Sequence, residues 1–290
     1  MSSRTALATA SVFAVLLFAA GGATSAPSGL IVYWSDSPWP SLWAVRPDGS
    51  GAHRILLTKA NAKRPRLSPD RRWVAFDGGP PGKAPPMLDQ FKVQLVRTTG
   101  ADLRQLTYGS TWDLDAQWSP DGKWICFSRL ERNAPDTHGA VLWLIHPNGT
   151  GLRRLTRGFG ARWSPDGKKL VYEAPSPGGE SALSVIGADG TEPHSIVGLA
   201  GIEQPADWSP DGARILFTRY AIGGAASMYI VRTDGSGLRR LGSGIGWAWS
   251  PDATRILYSS SYLSDLRLVN ADGTHRRLLA RVRAAEADWR

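Results

Sequence analysis

The chain has one cysteine, Cys126, and five histidines, which excludes a disulfide framework and leaves little material for a zinc cage. It lacks a Gly-x-Ser-x-Gly elbow, a His-Glu-x-x-His pair, a Walker-type phosphate loop and a Cys-x-x-Cys pair. The motif-borne routes to hydrolysis, metalloproteolysis, nucleotide binding and dithiol chemistry are therefore missing. Its one long uncharged apolar stretch, Ala6 to Ala20, is shorter than the roughly 20 residues a spanning helix needs. With Arg4 before it and small residues through Ala26 after it, this stretch reads as a secretory signal peptide over residues 1–26. Cleavage after Ala23, Ser25 or Ala26 is expected, and an uncleaved membrane anchor is the alternative. No cysteine follows to carry a lipid.

What the chain does have is turn chemistry and tryptophan. Its 32 glycines and 20 prolines argue against long helices, and 13 tryptophans leave stability to packing. Lys and Arg outnumber Asp and Glu by 34 to 25, a formal charge of +9. The arginines fall mainly into short recurring steps at Arg153-Arg154, Arg239-Arg240 and Arg276-Arg277 rather than one block, so no nucleic-acid surface is expected. Outside the cytoplasm such a charge meets anionic polymers or acidic proteins.

Two strings recur at intervals of roughly 40 to 50 residues, the period of a propeller blade. The first, Trp-Ser-Pro-Asp-Gly or a relative, starts at Leu67, Trp118, Trp163, Trp208 and Trp249. The second is Asp-Gly or a relative, at Asp48, Thr99, Asn148, Asp189, Asp234 and Asp272. Between them lie short β-rich runs such as Lys123 to Arg129 and Ala140 to Pro147. In Ser119-Pro120-Asp121-Gly122, Pro at the second position and Gly at the fourth suit a type I turn. Asn148-Gly149 reads as a tight hairpin with positive φ at both residues; this also accounts for the glycosylation-like Asn148-Gly149-Thr150.

Each period is thus a four-stranded antiparallel meander, and six of them make an all-β, six-bladed β-propeller over residues 27–290. The first copy, from Gly29, lacks an innermost strand, and Glu286 to Trp289 at the other end supplies one. The C-terminal run is expected to join the N-terminal strands and close the ring. Aligned second strands put Cys126 where Val32, Ala75, Val171, Leu216 and Leu257 stand elsewhere, a buried small apolar position rather than a reactive thiol.

The WSPDGKxIxFxS and LWxxxxDGxxxRRLT patterns resemble the blades of TolB-like β-propellers, whose repeat also occurs in the propeller of prolyl-oligopeptidase-type enzymes. The resemblance spans nearly all of Gly29 to Trp289. It implies a six-bladed fold, a place in the cell envelope and a protein partner. TolB carries an α/β domain before its propeller; the few residues between the apolar stretch and the first strand here leave no room for one, and no hydrolase domain is expected after it.

In this topology the two recurring turns lie on one end of the propeller and irregular loops on the other, which makes the loop end the expected binding face. Trp39, Met87, Tyr108, Trp112, Tyr220 and Tyr262 punctuate those loops as candidate anchors for a protein or peptide, or as lids over the blade tops. Asp113, Asp115, Glu203, Asp207, Glu286 and Asp288 stand near the starts of innermost strands and are expected to ring the channel mouth. Such a ring could hold Ca²⁺ or a basic partner side chain, but ordinary solvated acids are the expectation, and no metal, cofactor or catalytic residue is assigned. The outer-strand arginines read as guards against edge-to-edge association. The functional expectation is an exported, monomeric, non-enzymatic binding scaffold, periplasmic or extracellular. The alternative is a metal-dependent enzyme or carbohydrate-binding protein working at the channel mouth.

Overall fold

The computed structural model describes residues 29–35, 41–57, 62–79, 91–131, 139–175, 181–198, 204–220, 224–261 and 264–290, without side chains at 57, 204–206 and 282–285. The expected signal segment lies outside the described residues, as do most of the loops between second and third strands.

Twenty-three strands form six antiparallel blades. Blade I holds β1 (Ile31–Ser35), β2 (Ser41–Val45) and β3 (His53–Leu57). Blade II follows with β4 (Ala62–Leu67), β5 (Trp73–Gly78), β6 (Lys92–Arg97) and the short β7 (Arg104–Gln105). Blade III is β8 (Trp112–Trp118), β9 (Ile125–Leu130), β10 (Val141–Ile145) and β11 (Arg153–Arg157). Blade IV contains β12 (Phe159–Trp163), β13 (Lys169–Pro175), β14 (Ser181–Gly187) and β15 (His194–Val197). Blade V has β16 (Gln204–Trp208), β17 (Arg214–Tyr220), β18 (Ala226–Arg232) and β19 (Arg239–Ser243). Blade VI has β20 (Ile245–Trp249), β21 (Arg255–Ser259), β22 (Ser264–Asn270) and the first part of β23 (Arg277–Trp289).

The ring closes as the repeat phase requires. The single long strand β23 pairs at Arg277–Ala280 with β22 as the outer strand of blade VI. At its far end Asp288 pairs with Val32 and Trp289 with Ile31, as the innermost strand of blade I. Hydrogen bonds between Leu30 and Arg290, N to O at 2.6 Å and 3.0 Å, seal the seam.

The core lies between blades rather than within them. Blades II and III, for instance, share one cluster made of Ala75, Val93, Leu95, Ala116, Trp118, Ile125 and Phe127. Because both faces of each sheet are covered, the middle strands read as nearly unbroken apolar runs. Cys126 is fully buried between blades III and IV, and burial pushes its thiol pKa up. Tryptophans of the innermost strands also bridge blades: Trp208 Nε1 donates to the Arg162 carbonyl at 3.0 Å and Trp163 Nε1 to the Gln117 carbonyl at 3.3 Å.

The Ser-Pro-Asp turns repeat one hydrogen-bond scheme. In blade III Ser119 Oγ donates to Asp121 Oδ1 and accepts the Trp124 N–H, while Asp121 Oδ1 accepts the Lys123 N–H. The fourth residue takes positive φ, near 70° at Gly122, Gly167 and Gly212 but 58° and 57° at Arg71 and Ala253. The Asp-Gly turns correct one expectation. At Asn148-Gly149 only the glycine has positive φ, at 90°, and the loop closes over three residues through the bonds of His146 with Gly149 and Thr150. Asn148 Oδ1 accepts the Thr150 N–H at 3.0 Å, an Asx turn that holds the asparagine out of the left-handed region, so this is a type I turn with a bulge rather than a two-residue hairpin.

Candidate functional site: the axial channel

Each innermost strand is bulged where it faces the axis. The register with the second strand shifts between Lys63 and Arg66, Leu114 and Gln117, Phe159 and Arg162, Gln204 and Asp207, Gly246 and Ala248, and across the closing pair of β1 and β23. Three of the bulged residues are non-glycine with positive φ: Arg64 at 49°, Asp115 at 56° and Glu286 at 58°. A bulge leaves a ladder N–H without its partner, and a buried N–H must find another acceptor.

In three cases that acceptor comes from the preceding blade: the residue after the aromatic of the second strand in blades II, III and V accepts the bulged N–H of the next blade. Ser128 Oγ takes the Gly160 N–H at 3.0 Å, Thr218 Oγ1 takes that of Gly246 at 3.0 Å, and Asp77 Oδ1 takes that of Asp115 at 2.8 Å. Blade I has Trp34 at this position and cannot accept; Glu286 Oε2 reaches over from the closing strand and takes the Arg64 N–H at 3.0 Å. Two further carboxylates hold backbone across blades, Asp288 the Leu67 N–H at 2.8 Å and Asp207 the Trp249 N–H at 3.1 Å.

Arginines fill the space between these acids. Arg64 Nη1 lies 2.9 Å from Asp77 Oδ2, and its Nε 3.8 Å from Glu286 Oε1. Asp115 meets Arg162 at 2.7 Å and Arg66 at 3.8 Å, and Arg290 lies 3.6 Å from Asp288. Asp77, Asp115, Arg66 and Arg162 are all buried. Burial opposes the Asp115 charge, but Arg162 and Arg66 outweigh it and hold its pKa below the ordinary carboxylate value. For Asp77 burial wins over Arg64, and the pKa is pushed up to about 7. Burial likewise raises the pKa of Asp207, against the opposing pull of Arg290.

Of the six acids expected at the channel mouth, Asp115, Asp207, Glu286 and Asp288 belong to this backbone-binding and ion-pairing network. Asp115, Glu286 and Asp288 are buried and so are not the ordinary solvated acids of the sequence reading, because each satisfies a buried N–H or a guanidinium. Asp113, also buried and so not a solvated acid either, points elsewhere: it makes a two-point bridge to its cross-strand partner Arg129 at 2.6 and 2.9 Å and lies 3.6 Å from Lys92. The bulge at Asp115 separates the two aspartates, which a regular strand would place on one face. Glu203 lies outside the described residues. The sequence reading missed Asp77, Arg64, Arg66 and Arg162; counting back one and three places from Leu67 and Trp163 in the repeat would have placed the arginines on the axis.

The donor set does not fit a Ca²⁺ site. The carboxylates that meet here are bonded to guanidinium groups and backbone N–H rather than left as open oxygen ligands. Among the described residues no group of three or more His, Cys, Asp or Glu side chains is placed to hold a metal ion.

On the loop end, Trp39, Met87 and Tyr262 lie outside the described residues. Tyr108 is 70% exposed in the connection from β7 to β8, its hydroxyl bonded to the Gln105 carbonyl at 3.1 Å. Trp112 packs on Leu130, Ala140 and Phe159, and Tyr220 on the cluster between blades VI and I. Both are half-buried and help cover the blade tops. The outer-strand arginines do more than guard edges: Arg153 donates to the Ala188 carbonyl of the next blade and Arg239 to those of Ala271 and Asp272, each at 2.9 Å.

No family model matches the chain. Among solved structures, TolB of Acinetobacter baumannii superposes with a TM-score of 0.74 at 17% identity, over 91% of this chain and 67% of that one. The fold is that of the TolB propeller. A TolB-type protein of Agrobacterium tumefaciens gives 0.65 at 18% identity over 90% and 92%. An oligogalacturonate lyase in complex with manganese gives 0.55 at 14% identity over 83% and 71%. At such identities the likeness is one of fold, and fold does not carry function.

Proposed function

We propose that this protein is an exported, non-enzymatic propeller that binds a protein or peptide through its loop end, in the periplasm or outside the cell. The observation that carries this reading is the commitment of the axial acids. Asp77, Asp115, Glu286 and Asp288 are engaged by Arg64, Arg162, Arg290 and the backbone of neighbouring blades, so the channel side chains serve the ring. The variable loop end, with Tyr108 exposed on it, is the surface left for recognition. Export rests on the apolar stretch Ala6 to Ala20. No helix among the described residues is long and apolar enough to cross a membrane.

The test places a photo-crosslinking residue at Tyr108 and, separately, at Asp234 on the turn end, in cells that carry the protein at native level. A discrete adduct from position 108 alone supports the loop end as the binding face. An adduct from position 234 alone overturns it. Removal of residues 1–26 should leave the protein in the cytoplasm; unchanged fractionation would refute export by this segment.

A further inference from the structure

Five arginines line one edge of the disc. The outer strands of blades V and VI, β19 and the first part of β23, carry Arg239, Arg240, Arg277 and Arg281, with Arg276 just ahead of β23, all exposed. Among the described residues none of the five makes an ion pair to a carboxylate. Three are held in place by uncharged acceptors. Arg239 donates to the carbonyls of Asp272 and Ala271, Arg276 to those of Leu241 and Ser243 at 2.9 and 3.2 Å, and Arg240 to the hydroxyls of Ser227 and Ser243. Guanidinium groups fixed in this way keep donors for a ligand and lose little further freedom on binding it.

Between these two blades runs a groove of about 600 Å³ lined by Arg214, Arg239, Arg255, Thr254 and Asn270. Two acids, Asp252 and Asp272, also line it, but each is folded into its own turn, Asp252 on Ser250 and Thr254 and Asp272 on Thr274. Arg255 stands close enough to Arg277 that its charge, added to burial, holds the Arg277 pKa below the ordinary value. Asp252 meets part of the Arg255 charge and Asp272 part of that of Arg239; the guanidinium charge left over along the two strands is relieved by an anion from outside.

We propose that the outer edge of blades V and VI binds a linear anionic glycan. An extended ligand fits because the arginines are strung along two strands and a groove instead of converging on a point. A glycan fits better than a nucleic acid because the exposed apolar side chains beside them are Leu238 and Leu278. The exposed large aromatic among the described residues, Tyr108, lies on the loop end, and unpaired bases need aromatic faces to stack on.

The experiment is calorimetric binding of a size-defined heparin oligosaccharide to the full chain at low and physiological salt. The wild-type protein should bind, less tightly as salt rises. The triple variant Arg240→Gln, Arg277→Gln, Arg281→Gln should bind about tenfold or more weakly, as expected when three anion contacts are lost. An equal charge change on blades I and III, Arg54→Gln, Arg154→Gln, Arg157→Gln, should weaken binding by less than about twofold. If the first triple variant does not fold, Arg281→Gln alone, with no described hydrogen bond or ion pair to lose, decides the matter by weakening binding measurably or not. Absence of wild-type binding overturns the proposal, as does equal loss in the two triple variants. Tighter binding to duplex DNA, or to phosphatidylglycerol vesicles, than to heparin overturns it in favour of those partners.

Discussion

Replacing Glu286 with alanine tests the reading of the axial channel as a device for closing the ring. Glu286 is 6% exposed and supplies the acceptor for the Arg64 N–H, a role filled in three other blades by the second-strand side chains of Asp77, Ser128 and Thr218 and one that Trp34 cannot fill. Truncation strands that N–H, a loss of about 1–3 kcal/mol for a buried donor. The accompanying ion pair is longer, 3.8 Å, and its arginine is partly exposed, so it adds no more than about 1 kcal/mol. The sum, about 1–4 kcal/mol, is a sizeable part of an ordinary domain's stability. Glu286→Gln keeps an acceptor oxygen and should lose only about 1 kcal/mol. Urea unfolding followed by tryptophan fluorescence reads both. With a slope of about 3 kcal/mol/M the alanine midpoint falls by about 0.3–1.3 M. An alanine variant within about 0.5 kcal/mol of wild type would refute the closing role.

Other consequences are equally open to measurement. Burial pushes the pKa of Asp77 from the ordinary carboxylate value up to about 7 in the folded protein, so between those values the folded protein holds a proton that the unfolded chain has released. Its contribution therefore declines as pH rises from about 4 to 7, by up to about 1.4 kcal/mol per unit, and Asp77→Asn should flatten that slope; an unchanged profile rejects the assignment. The turn aspartates such as Asp121 and Asp211, with pKa values lowered chiefly by the hydrogen bonds from Ser119 and Ser209, act in the opposite sense, their stabilisation fading as pH falls below the ordinary carboxylate value. Ala253→Gly relieves a left-handed alanine at φ 57° and should raise stability by about 0.5–1 kcal/mol after the entropy of glycine is subtracted; a lowered midpoint in urea would contradict this. Cys126, fully buried, should resist thiol reagents until the protein unfolds, and its labelling should track the loss of tryptophan fluorescence.

The blade plan was legible because its signals are local and repeated. Ser119 to Gly122 specifies its turn alone, and the same string four more times fixes the period, hence the number of blades and the missing strand that Glu286 to Trp289 supplies. The channel was harder to read. That Asp115 faces the axis while Asp113 faces Arg129 depends on a bulge, and a bulge depends on φ at one residue, which nothing in the string Asp113-Leu114-Asp115 announces. The pairing of Asp115 with Arg162 spans 47 residues and follows only when the innermost strands are set in register across blades. Asp77 is a repeat position, held by Ser128 and Thr218 in other blades, that is filled here by an acid.

The seam between Leu30 and Arg290 has a consequence for orientation. Chain entry into β1 and the end of β23 lie side by side at the turn end, next to the axis, because β1 rises from that end as the second strand of its blade. Anything joined to the chain ahead of Gly29, whether an uncleaved anchor or an engineered tether, would hold the disc from beneath its centre. The loop end would then point away from the attachment point whichever way the disc rotates, and a partner approaching from that side would meet the same face in every azimuth.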